Sequence, residues 1–166
     1  MKELVGTDLF DFVKNKDVDA ICITTNCSVS NDGTNPMGGG CAGAAARRWK
    51  ELPEVLGQML SHIPSVPCLL GYVDRETDEF TPDYEQNAVA IWAYPTMHEI
   101  GTPADLRLVT RSAALMKEVA DIFGYDAVLI PRPGAGIGGL DWETEVKPAL
   151  AEILDGRFFL VHKDGK

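Results

Sequence analysis

Paired cysteines are missing from this chain. Its four cysteines, Cys22, Cys27, Cys41 and Cys68, form no Cys-x-x-Cys pair, and its three histidines (His62, His98, His162) lie far apart in sequence. That spacing argues against a zinc site and against a disulfide framework, so neither a metal nor a cofactor is expected. Long apolar runs are absent too. Nothing approaches the roughly 20 residues that span a bilayer, and the first residues have no signal-peptide anatomy. The expected setting is a reducing cytoplasm with free thiols and no membrane partner. Basic residues are scarce, 15 against 25 acidic ones, for a net charge of −10. An acidic field of that size repels phosphate backbones and disfavours nucleic acid as a partner. A small anionic ligand remains compatible with it. Backbone amides act at contact distance, whereas the surface field is screened over about 10 Å. The 166 residues suit one core and not two, so a single domain over residues 1–166, acting as a monomer, is expected.

What is present is an alternation of apolar runs and helical patterns. Val18 to Thr25 reads as a buried strand, rich in β-branched residues and ended by polar turn residues. A loop rich in Asn, Ser and Gly follows from Asn26 to Gly40. A helix is expected to start at Cys41, with a second from Pro53 to Leu60, the proline serving in its first turn. Val66 to Val73 and Asn87 to Ala93 read as strands, with a charged connector of little pattern between them. Pro103 to Phe123 is the clearest helix, because Leu106, Val109, Ala113, Met116, Ala120 and Phe123 form one apolar stripe and Gly124 stands at its end. A strand (Ala127 to Ile130), a helix (Trp142 to Leu154) and a last strand (Arg157 to His162) complete the chain. The class this predicts is α/β: a three-layer α/β/α domain whose mixed, largely parallel sheet is flanked by helices. In such sheets ligands collect at the carboxyl ends of the strands.

Two glycine-rich segments fall at those ends. The first is Met37-Gly38-Gly39-Gly40-Cys41, preceded by Thr25, Asn26 and Asn35. The second is Pro131-Arg132-Pro133-Gly134-Ala135-Gly136-Ile137-Gly138-Gly139. Glycines permit positive φ and let a ligand approach the backbone. Amides on such turns converge on oxyanions, helped by the positive end of the following helix. The second segment also satisfies Gly-x-Gly-x-x-Gly, but the match begins at Gly134 and only one further strand fits after it. A Rossmann sheet therefore has no sequence to come from. Asn26 offers a donor and an acceptor to sugar hydroxyls, and reads equally as an Asx-turn residue closing its strand. Asp8 reads as a helix cap or as an acceptor for an exocyclic amine.

Together these residues resemble the macro domain family. Asp8-Leu9 stands where that family's Gly-Asp-Ile segment places an adenine-recognising aspartate. Ile23-Thr24-Thr25-Asn26 is similar to its Asn-Ala-Ala-Asn strand end, Gly38 to Cys41 to its distal-ribose loop, and Gly134 to Gly139 to its diphosphate loop. The order agrees from Leu4 to His162. The resemblance implies a macro domain that binds ADP-ribose or a close derivative. It points to the bacterial and bacteriophage members and to the branch of ADP-ribose-1''-phosphate phosphatases and terminal ADP-ribose glycohydrolases, hence to a bacterial or phage-infected cytoplasm. It also implies His162 beside the adenine, where many members carry an aromatic ring.

The departures bear on catalysis. Gly39 stands where the glycohydrolase branch has Lys, Gly138 where it has an acidic residue, and Ala42 where members that cleave ADP-ribose from proteins often have Asp. The catalytic candidates left are Asn26, Asp141 and His98. Asp141 reads as a group that orients water, or as the N-cap of the helix it precedes. His98 reads as a general acid, or as an ordinary loop histidine. Three functions follow from these residues: hydrolysis of a terminal group on ADP-ribose, binding without catalysis, and removal of ADP-ribose from macromolecules. The third is weakened by Ala42 and Gly39.

Overall fold

The computed structural model describes residues 1–163, and these build one seven-stranded sheet. The strands are β1 (Lys2–Val5), β2 (Ala20–Asn26), β3 (Cys68–Asp74), β4 (Phe80–Thr81), β5 (Ala88–Met97), β6 (Val128–Pro131) and β7 (Phe158–His162). Their order across the sheet is β1-β7-β6-β2-β5-β3-β4. The first five in that order run parallel, and β3 and β4 are antiparallel to their neighbours.

The alternation within each strand divides the core in two. Ile21, Ile23, Val89, Ile91 and Leu129 face one side. There they meet Leu9 and Val13 of a 3-10 turn (Leu9–Lys14), with Ala45, Leu52 and Leu56 from α1 (Gly40–Arg48) and α2 (Leu52–Leu60). Ala20, Cys22, Trp92, Tyr94 and Ile130 face the other side, against α3 (Leu106–Phe123) and α4 (Lys147–Ala151). The chain is thus the three-layer α/β/α arrangement that its pattern predicts. No helix among the described residues is long and apolar enough to cross a membrane.

The stripe on α3 buries Val109, Ala113, Met116 and Ala120, while Phe123 at its end is half exposed. The helix begins at Leu106, later than expected, because Asp105 accepts from the Arg107 amide and caps it. Gly124 terminates it in the left-handed region at φ 70°. Two strands differ from expectation. β5 runs on through Pro95 to Met97, although proline donates no ladder hydrogen bond. The sheet absorbs this with a register shift opposite, between Thr25 and Asn26. The connector after β3, patternless in sequence, contains β4. Its turn is held by Asp74, which accepts from the amides of Glu76 and Thr77. The expected helix from Trp142 to Leu154 is instead a wide π turn (Trp142–Val146) followed by the short α4.

Gly124 has open space around it, so Gly124→Ala tests backbone conformation alone. It is expected to cost about 1 kcal/mol in urea unfolding, with an unchanged m-value.

Candidate functional site

β2 continues to Asn26 and β6 to Pro131, yet the two pair only at Ala20–Val128 and Ile21–Leu129. Beyond that point their carboxyl ends separate. A cleft of about 1250 Å³ lies there, walled by the segments that follow β1, β2, β5, β6 and β7.

The second glycine segment forms one wall. Its turn is closed by the Leu140 amide donating to the Gly134 carbonyl (2.9 Å) and by Gly139 donating to Gly136 (3.1 Å). The amides of Gly136, Ile137 and Gly138 take no hydrogen bond among the described residues and stand in the cleft lining. Gly134 has φ 75°, which favours glycine. Gly138 is required for space. A Cβ there would lie 2.6 Å from the Ala104 Cβ, and Ala104 donates its amide to the Gly138 carbonyl (3.0 Å). The wall is therefore fastened to the start of α3.

The first glycine segment forms the opposite wall. α1 opens at Gly40, with Gly39 in the cap position and no side-chain cap, so its first amides are left for a ligand. Gly43 lets the helix seat on the Gly38 carbonyl, which a Cβ would overlap. Ile137, 73% exposed, reaches across from the second segment. A Cβ on Gly39 or Gly40 would stand 3.1 Å from its Cδ1.

Most residues expected at the site line this cleft: Asp8, Leu9, Thr25, Asn26, Met37, Gly38 to Cys41, Pro131, Gly134 to Gly139, Asp141 and His162. Two do not. Asn35 is 1% exposed and turned inward, donating from Nδ2 to Asn26 Oδ1 (2.9 Å) and to the Ser28 carbonyl (2.8 Å). It braces the loop and does not line the cleft, a correction to its expected place at the site beside the first glycine segment. His98 also lies outside the lining. Its Nε2 meets Asp105 Oδ2 at 2.8 Å, on the carboxylate that caps α3, so a general-acid role in the cleft finds no support.

Asn26 lines the cleft but is occupied as an Asx-turn residue. Its Oδ1 accepts from the Ser28 amide (2.9 Å) and from Asn35, and its Nδ2 donates to the Pro36 carbonyl (2.9 Å). Asp141 likewise acts as a cap, accepting at Oδ1 from the Thr144 amide and hydroxyl, both at 2.8 Å. Glu145 Oε2 accepts in return from the Asp141 amide (2.7 Å), one position later than in an ordinary capping box because the turn is a π turn. These hydrogen bonds, led by the Thr144 amide, hold the Asp141 carboxyl below its usual range. Asp8 caps the 3-10 turn through the Phe10 amide (3.0 Å) and pairs with Lys163 (3.2 Å), which lowers its pKa in the same way. Cys41 is held protonated: burial pushes its thiol up to about 12.

Sequence reasoning missed the apolar tip after β5. Ile100 stands against Gly38, with its Cδ1 3.2 Å from where a Cβ would be. The run His98-Glu99-Ile100-Gly101 is the signal that could have found it, an isoleucine beside glycine at a parallel strand end. Arg132 and Trp142 were also unassigned. The guanidinium lies 4.9 Å from the indole centroid, and both groups reach Glu3 (3.3 and 3.0 Å), which Lys147 also pairs (2.9 Å). This network ties β1 to the base of the second segment. Among the described residues, no group of three His, Cys, Asp or Glu side chains is placed to hold a metal.

A scan of protein-family models finds no match, and a search of curated proteins finds none. Solved structures do match. The macrodomain of Mycobacterium tuberculosis DarG gives a TM-score of 0.69 at 20% identity, covering 96% of this chain and 97% of that one. The macrodomain of Thermus aquaticus DarG gives 0.68 at 20%, covering 96% and 98%. Thermosipho africanus DarTG, solved in complex with ADP-ribose, gives 0.73 at 16%, covering 98% of this chain and 42% of that one.

Removing the Asn26 side chain leaves the Ser28 amide without its acceptor and the Pro36 carbonyl without its donor. Asn26→Ala is expected to cost about 1–3 kcal/mol in denaturant unfolding. The raised thiols give a second test. Because burial raises the Cys41 thiol, its thiolate at pH 8 is far scarcer than that of an exposed cysteine. Native protein should label slowly with iodoacetamide at pH 8 and rapidly once unfolded in urea. Cys41 modified within minutes in the native state, on mass mapping, would contradict this assignment.

Proposed function

We propose that this chain, which has the macrodomain fold, grips ADP-ribose or a close derivative in the cleft between its two glycine segments. One observation carries the proposal. Unbonded amides of Gly136, Ile137 and Gly138 face the uncapped start of α1 across a single cleft, an arrangement suited to an anionic group with a sugar on each side. Each charge-assisted hydrogen bond to such a group contributes about 1.5–3 kcal/mol, so two or three support useful affinity without a lysine or arginine at the anion. The likeness to a fold solved with ADP-ribose bound supports the same reading.

The finer reading is hydrolysis of a terminal group, as in the phosphatase and terminal glycohydrolase branch. It rests on Asp141, the first carboxylate in sequence after the second segment, which is ionised and lines the cleft. Cys41 is protonated and Asn26 is committed to the loop, so chemistry here would depend on holding the substrate beside a water molecule.

Calorimetry with ADP-ribose is expected to give a micromolar Kd, and binding no tighter than about 1 mM would refute the shared premise. Gly136 has open space and ordinary φ, so Gly136→Asp should fold normally while setting a carboxylate among the unbonded amides. It should weaken binding by about tenfold or more. Phosphate release from ADP-ribose-1''-phosphate then separates hydrolase from binder. With Asp141→Asn the cap is retained, so lost turnover at unchanged affinity would assign the carboxylate a role in chemistry.

A further inference from the structure

At the end of α3 far from the cleft, aromatic rings pack against the sheet around Trp92. Trp92 of β5 meets Phe123 edge-on at 5.6 Å, and Phe123 stacks on Tyr125 at 5.4 Å. The Trp92 Nε1 donates to the Tyr125 hydroxyl (3.3 Å). Tyr72 of β3 lies on the same face and meets Tyr84 edge-on at 5.5 Å. The outer members are open to solvent: Tyr84 is 73% exposed, Phe123 50%, and Ile122 beside it 79%. Fold stability gives no reason to leave large apolar groups so exposed side by side, whereas exposed apolar patches and interfaces are rich in such residues.

The rim is predominantly acidic, and Arg157 at the Ile122 edge is neutralised by Asp121 (2.8 Å). Asp83 and Glu85 flank Tyr84, Glu118 sits one turn before Ile122, and Asp126 follows Tyr125. All four are exposed and in no ion pair among the described residues. A second copy of the chain is a poor occupant, because a two-fold contact would press this acidic rim against itself. Guanidinium groups, by contrast, stack on aromatic faces and pair with carboxylates in one geometry.

We infer that this aromatic ridge, Tyr72-Tyr84-Trp92-Phe123-Tyr125 with Ile122, is a docking surface for an arginine-rich, partly apolar segment of a partner protein. The apolar residues of that segment cover Ile122 and Phe123, and its guanidiniums meet Tyr84 and the rim carboxylates. The inference is independent of what the cleft binds.

A short peptide of alternating arginine and leucine is the probe. In amide NMR titrations of the intact chain it should shift resonances around Tyr72, Tyr84, Phe123 and Tyr125, saturably and more weakly as salt is raised. Tyr84→Ser with Ile122→Ser changes only exposed positions and should lower affinity about tenfold while the spectrum stays folded. Asp83→Asn with Glu85→Gln should flatten the salt dependence. No saturable binding below about 1 mM, shifts centred elsewhere, or unchanged affinity in the Tyr84/Ile122 variant would each overturn the inference. Concentration-dependent dimerisation of the chain alone, abolished by that variant, would overturn it in favour of a second copy.

Discussion

The short ladder between β2 and β6 is the constraint on which the site depends. Had the ladder continued in register, Pro131 would lie beside Ile23 and Gly134 beside Asn26, and the two glycine segments would have no gap to face across. Because pairing stops at Ile21 and Leu129, each strand delivers its loop to a different wall, and the parallel direction of β1, β7, β6, β2 and β5 puts every following segment at one edge. The walls are then fixed by contacts that tolerate no side chain. Gly43 seats α1 on the Gly38 carbonyl, and Gly138 packs on Ala104 at the start of α3. The amides are thereby held in place before a ligand arrives, which lowers the ordering cost of binding.

Much of this was legible in the residues. The period-3.6 stripe of α3 and its terminal glycine marked both the helix and its buried face, and the apolar run at β2 marked a central strand. The parts that were not legible share a physical cause: they are decided by partners distant in sequence. Pro95 argues locally against a strand, and only the register shift in β2 shows how β5 passes through it. β4 is two residues long and exists because Tyr72 and Val73 offer it an edge. Trp142 to Val146 has helical composition, and its π geometry, which goes with the Asp141–Glu145 exchange, has no signature in the local pattern.

The same division holds at the site. Glycines announced the two walls because their requirement is local, a positive φ or an absent Cβ. Side-chain roles were ambiguous because asparagine and aspartate serve caps and ligands with the same atoms. Asn26, Asn35 and Asp141 are engaged with the chain itself. Gly138 sharpens the point about chemistry. A carboxylate cannot occupy that position here, since its Cβ would collide with Ala104 and with the Gly134 carbonyl, so that space is given to packing.

α3 joins the cleft to the aromatic ridge. Ala104, just before its first turn, abuts the second glycine segment, and its last turn carries Ile122 and Phe123, about 27 Å away for 18 residues. The helix is held in register along its length: the Tyr94 hydroxyl donates to the Val109 carbonyl (2.7 Å), and Ser112 Oγ donates to the Pro95 carbonyl (2.9 Å). Coupling between two sites needs an element with two arrangements that each site biases. A capped helix fixed by these buried hydrogen bonds serves as a spacer between the two surfaces. The cleft and the ridge are therefore best understood as separate surfaces carried by one rigid rod.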